Sequence, residues 1–172
     1  MSDNNKKLIL LTVIPIIFAI GIAFFISSSS GKKIEKDSEV LLSFTMKDKN
    51  WKDLGIVSEP LISLPIKTTS GYKKNSFLLD SGAVISSLPR EWAAELGLDL
   101  AFLPRSTFGG FGGATSIAYQ GEMVVLLGSD ELTLPVVFTE AVGTKSLIGR
   151  KGFFNRYSIL FDHRTKQVEI RG

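Results

Sequence analysis

Asp80 closes the apolar run Phe77-Leu78-Leu79 and is followed at once by Ser81-Gly82-Ala83. A carboxylate without a partner is costly away from water, so a chain that drives an apolar strand into one needs a reason. An Asp-Ser-Gly turn that merely ends the strand is one reason. A carboxylate held at a strand end to take a proton from water is the other. Competing chemistries are few. The chain has no cysteine, and His163 is its single histidine. No Gly-x-Ser-x-Gly elbow is present to support a Ser-His triad. One histidine cannot build a His-rich zinc site. Asp162 and His163 fall in Phe161-Asp162-His163-Arg164-Thr165 and read as solvent-facing turn residues. No metal and no cofactor is expected.

Two further motifs follow Asp80 in order. Phe108 to Ala114 reads FGGFGGA, and Leu147 to Arg150 reads LIGR. A phosphate-cradling glycine loop needs a strand before it and a helix after it. Here the strand-like TSIAYQGEMVV follows, and the P-loop lysine is missing. A hairpin tip carrying Phe108 and Phe111 among flexible glycines fits better.

The elements that must position these residues are short and mostly extended. LISLPIKT (61–68) alternates as a strand, TSGYKKN is a turn around Gly71, and SFLL (76–79) and VISSLP (84–89) are strands. Pro89 opens a helix through REWAAELGL that stops near Gly97. Two strands meet at Gly128-Ser129-Asp130. A short helix follows LIGR, and SILFDHRTKQVEI is a closing hairpin. Residues 38–57 contain VLLSFTMKDKNWKDLGIV, which the pattern does not place. The expectation is one mainly β domain, residues 38–172, with one or two short helices.

Asp followed by Ser or Thr and then Gly is weak by itself, expected by chance in about one chain in ten of this length. The ordered set is more specific. An apolar strand into LLDSGA (78–83), then GGFGG (109–113), then LIGR resembles the retropepsin-like aspartic proteases over roughly residues 58–172. The resemblance implies a single-lobe closed β-barrel and an aspartic endopeptidase acting on protein or peptide substrate. It implies Asp80 as the catalytic carboxylate, with Ser81, Gly82 and Ala83 supporting its loop. Gly109, Gly110, Phe111, Gly112 and Gly113 would form a substrate-covering flap, and Leu147, Ile148 and Gly149 a cleft wall. One Asp-Ser-Gly per chain supplies half of a carboxylate pair, so the active form should be a two-fold homodimer. Two departures stand out. Val84 occupies a position where viral members carry an Asp that pairs with the arginine here numbered Arg150, and Ser81 replaces the commoner threonine. A catalytically silent peptide-binding or assembly module on the same fold is the alternative.

Ahead of the domain, Leu8 to Ile26 is 19 residues without a charge. At about 1.5 Å per residue it matches the roughly 30 Å hydrocarbon thickness of a bilayer. It reads as an uncleaved single-pass transmembrane helix after a short tail (1–7), continued by a polar linker (27–37). The membrane-anchored bacterial type of the family is the implied form. The brief tail places the domain on the outer, periplasmic or extracellular, face. Residues 1–37 hold five lysines against three acidic residues, leaving 15 basic and 14 acidic groups in the rest of the chain. A nearly neutral domain without a long basic run is not a nucleic-acid binder.

Overall fold

Period-two alternation decides which face of each strand meets the core. The computed structural model describes residues 38–109, 113–141 and 143–172. Three strands lead in: β1 (Val40–Thr45), β2 (Lys47–Trp51) and β3 (Gly55–Glu59). The central run is β4 (Leu61–Thr68), β5 (Gly71–Leu79) and β6 (Ser86–Pro89), then helix α1 (Trp92–Glu95). Strands β7 (Arg105–Gly109), β8 (Thr115–Leu127) and β9 (Asp130–Thr139) follow. The chain ends with β10 (Leu147–Ile148), a helical turn at Arg150–Phe154, β11 (Ser158–Asp162) and β12 (Gln167–Arg171).

The main sheet runs β4-β5-β10-β6-β9-β8-β7, and β4 also pairs with β8 through Ile66 and Val125. That pairing closes six strands into a barrel and leaves β7 attached to β8 as a projecting hairpin. Its interior takes Ile62, Leu64 and Ile66 from β4, and Phe77 and Leu79 from β5. Met123 and Val125 from β8 and Leu134, Val136 and Phe138 from β9 complete it. A second, antiparallel sheet, β1-β12-β11, presents Val168 and Ile170 to the same core. Thus the unplaced residues 38–57 supply an edge strand of this terminal sheet and the separate β2–β3 hairpin.

Three expectations change. Tyr72–Asn75 are strand, because the β4–β5 turn tightens to Thr69-Ser70 and the Thr68 hydroxyl donates to the Gly71 carbonyl at 2.6 Å. Pro89 ends β6, paired with Thr139, so the helix starts only at Trp92. The turn after LIGR is not a regular helix: Lys151 is extended at ψ 120° and Gly152 has φ +86°. The expected helix 8–26, its tail 1–7 and linker 27–37 lie outside the described residues. Among the described residues, no helix is long and apolar enough to cross a membrane.

Phe153 is fully buried and holds that broken turn against the core, with the rings of Phe154 and Tyr157 at 5.9 and 5.5 Å. Phe153→Ala should cost about 3–5 kcal/mol of unfolding free energy. His163→Ala, in the exposed β11–β12 turn, should stay within about 0.5 kcal/mol. Urea titrations of both variants measure this. Equal costs would contradict the core described here.

Candidate active site

The Asp80 loop is held by backbone, not by side chains. Residues 146–151 run beside residues 78–84 and exchange hydrogen bonds at almost every step. Leu78 N–H donates to the Ser146 carbonyl at 2.9 Å, and Asp80 N–H to the Ile148 carbonyl at 3.0 Å. Past the aspartate, Arg150 N–H reaches the Ala83 carbonyl at 3.0 Å and Lys151 N–H reaches that of Val84 at 2.9 Å. Between these sits Gly149. A Cβ there would lie 2.5 Å from the Ile85 backbone carbon and oxygen, so only glycine permits the approach. Gly149 N–H instead donates to the Oγ of Ser86, fully buried, at 3.1 Å.

Within the loop, Asp80 Oδ1 accepts from Gly82 N–H at 2.9 Å and from Ala83 N–H at 3.3 Å. Two backbone donors fix the plane of the carboxylate. Asp80 is half-buried, which avoids the full desolvation cost of an interior charge. A Cβ on Gly82 would stand 3.1 Å from the same Oδ1 and crowd it.

The loop opens onto a cleft of ≈ 300 Å³, lined by Gly82, Ala83, Val84 and Ile85 on one side and by Phe108, Gly109 and Ala118 of the β7–β8 hairpin on another. Ser87, Val137, Thr139, Thr144 and Leu147 complete it, so no charged side chain lines the space. The hairpin is tied to the barrel at its base. Ser116 Oγ lies 3.2 Å from Thr139 Oγ1, and the Tyr119 hydroxyl donates to Glu140 at 2.8 Å. That bond, followed by desolvation, raises the Tyr119 phenol above its ordinary value. Arg90 reaches the same Glu140 oxygen at 3.4 Å.

The sequence-predicted residues divide clearly. Asp80, Ser81, Gly82 and Ala83 form one turn, with Ser81 and Gly82 exposed. Gly109 ends β7 opposite Thr115, and Gly113 has φ +78°, so both belong to the expected hairpin. Gly110, Phe111 and Gly112 lie outside the described residues. Of the expected cleft wall, only Leu147 faces the space. Ile148 points into the core, fully buried, and Gly149 stands behind the loop against Ile85. Strand alternation explains it, since neighbours on β10 face opposite ways. Val84 lines the cleft while 63% exposed, and Arg150 is exposed. Sequence reasoning placed Phe108 on the hairpin but missed Ser86, Thr139 and Thr144. Only Ser86 left a trace, as one of two adjacent hydroxyls in VISSLP. Among the described residues, no group of three metal-ligating side chains occurs.

No family model and no curated protein matches the chain. Solved structures do. A retropepsin-like aspartic protease from Rickettsia conorii superposes with TM-score 0.51 at 19% identity, covering 74% of this chain and 98% of that one. EIAV protease complexed with the inhibitor HBY-793 gives TM-score 0.43 at 16% identity, over 58% of this chain and 88% of that one. The first of these shows that the domain has the mainly β retropepsin-like fold, with few short helices.

Gly149→Ala should distort the loop and cost about 1–3 kcal/mol or more through overpacking against Ile85. Gly109→Ala meets open space and should change stability by less than about 0.5 kcal/mol. Thermal melts of the two variants, side by side, check this. A neutral Gly149→Ala would refute the close approach.

Proposed function

We propose that the chain is an aspartic endopeptidase whose active unit is a homodimer, each copy contributing Asp80 and its Ser81-Gly82-Ala83 loop. One observation carries the reading: a half-buried carboxylate, its Oδ1 pinned by two backbone N–H groups, stands on a turn whose Gly82 and Ala83 line a cleft that the β7–β8 hairpin walls on another side. Pinning Oδ1 leaves Oδ2 to meet a water or a second carboxylate. Two carboxylates at close quarters cannot both ionise and hold one proton between them. The ionised member removes a proton from water as its oxygen attacks the scissile carbonyl carbon. The protonated member gives its proton to the carbonyl oxygen. The tetrahedral intermediate then collapses as the amide nitrogen takes a proton and the C–N bond breaks. The β7–β8 hairpin acts as the flap that covers substrate and excludes water. The cleft's uncharged lining suits a peptide with apolar side chains.

On this reading residues 8–26 anchor the enzyme in a membrane, with residues 38–172 on the outer face. The 19 uncharged residues support the anchor. Protease added to intact cells should digest the domain. Digestion only after the cytoplasm is exposed would reverse the orientation.

Asp80→Asn should lower peptide turnover by about 10²–10⁴-fold with an unchanged circular dichroism spectrum. Undiminished turnover would remove the mechanism. The active pair needs one proton, so the rate should be high at acidic pH and fall as pH rises through the pair's upper ionisation. A rate that climbs to a plateau above about pH 8 would contradict a shared proton. Specific activity should also drop on dilution, and excess Asp80→Asn chain should poison the wild type through mixed dimers. Constant specific activity in a sedimenting monomer would exclude the shared site.

A further inference from the structure

The β2–β3 hairpin is not absorbed by this function. It forms a two-strand sheet of its own, with ion pairs to the rest of the domain near its base. Lys166 Nζ donates to Asp48 at 2.6 Å, and Lys145 Nζ donates to Glu59 at 3.0 Å. Toward the tip, large apolar side chains face water: Leu54 is 76% exposed, Ile56 72%, and Trp51 and Val57 42% each. The register pairs Trp51 with Gly55 and Asn50 with Ile56. Trp51 and Val57 therefore lie on one face, Ile56 on the opposite face, and Leu54 in the turn. Four exposed apolar groups on one short hairpin are not scattered surface residues.

We infer that this hairpin tip inserts into the interfacial layer of a lipid bilayer, with Trp51, Leu54 and Ile56 as the inserted groups. Three observations favour lipid over protein. The apolar groups surround the tip, which suits a fluid medium that encloses it better than a partner that touches one side. Basic groups gather behind them: Lys47, Lys49, Lys145 and Lys166 against Asp48 and Glu59, with Lys49 Nζ 4.2 Å from the Trp51 ring centroid, while Lys52 and Asp53 share the tip turn with Leu54. Tryptophan with lysines behind it matches the headgroup level, where indole rings settle and cations meet anionic lipid. Finally, the chain carries its own reason to be near a bilayer. On the anchored reading, the 11-residue linker 27–37 spans at most about 40 Å, so a tethered tip meets lipid at high effective concentration. The inference thus rests partly on the anchor of the proposed function, and the two are tested separately.

The chain has two tryptophans, Trp51 and Trp92, so Trp92→Phe leaves Trp51 as the sole indole reporter. The full chain with this change is reconstituted into phosphatidylcholine–phosphatidylglycerol vesicles. Trp51 emission should shift to the blue relative to detergent-free buffer controls, be quenched by bromine-labelled lipid, and be protected from aqueous acrylamide. Adding Leu54→Asp and Ile56→Asp should abolish the lipid quenching. Acrylamide quenching unaffected by vesicles would overturn the inference. So would efficient disulfide linkage of two Leu54→Cys chains without lipid quenching, which would assign the tip to a second copy; the natural chain's lack of cysteine makes that reading clean. Carbonate washing tests the anchor alone. A chain that washes off refutes the anchor, and Trp51 quenching by vesicles added from outside then still decides the hairpin.

Discussion

The backbone ladder between residues 78–84 and 146–151 is the constraint on which the site depends. It begins as an ordinary parallel pairing, Leu147 with Leu78 and Ile148 with Leu79. It then continues past the end of β5, where a strand would normally lose its partner. Because Arg150 and Lys151 donate to Ala83 and Val84, the turn after Asp80 remains hydrogen-bonded after it has left the sheet. Loop backbone that is paired in this way cannot drift, so the carboxylate inherits the rigidity of the barrel. The condition is close approach, which only Gly149 allows, and the buried hydroxyl of Ser86 satisfies the N–H left over at that point. On the proposed reading, fixed backbone donors would let the site avoid reorganising during reaction.

The same economy extends to the cleft. Strand β8 is 13 residues long, and its two halves do different work. Met123, Val125 and Leu127 pack the barrel, while the Thr115–Tyr119 end pairs with β7 and overhangs the cleft. The hairpin is therefore a continuation of a core strand, tied to the barrel at its base. Ser116, Thr139, Tyr119, Glu140 and Arg90 form the polar seam at that base.

Much of this was legible in the residues themselves. The alternation in LISLPIKT gave the buried face of β4, since Ile62, Leu64 and Ile66 recur at every second position. Asp80 was legible as a site residue because an apolar strand ending in Asp-Ser-Gly is chemically odd. Its oddness is local, as are the glycines at 109 and 113. The order of three motifs pointed to the fold because each marks a place where backbone must turn or approach closely, and glycine types record such demands directly.

What only the tertiary structure decided is which distant segments meet. Nothing local in LIGR reveals that Leu147 faces the cleft while Ile148 enters the core, because a two-residue strand has no pattern to read. Pro89 carries a helix-start signal, but the parallel pairing with Thr139 claims it first, and a pairing partner 50 residues away has no trace in the neighbouring sequence. Thr139 and Thr144 are unremarkable residues that become cleft walls because barrel closure brings their segments to one edge. Residues 38–57 were unreadable for the same reason. Val40–Thr45 is a strand because β12, at the far end of the chain, offers an edge for it to pair with, and local propensity is too weak to announce that.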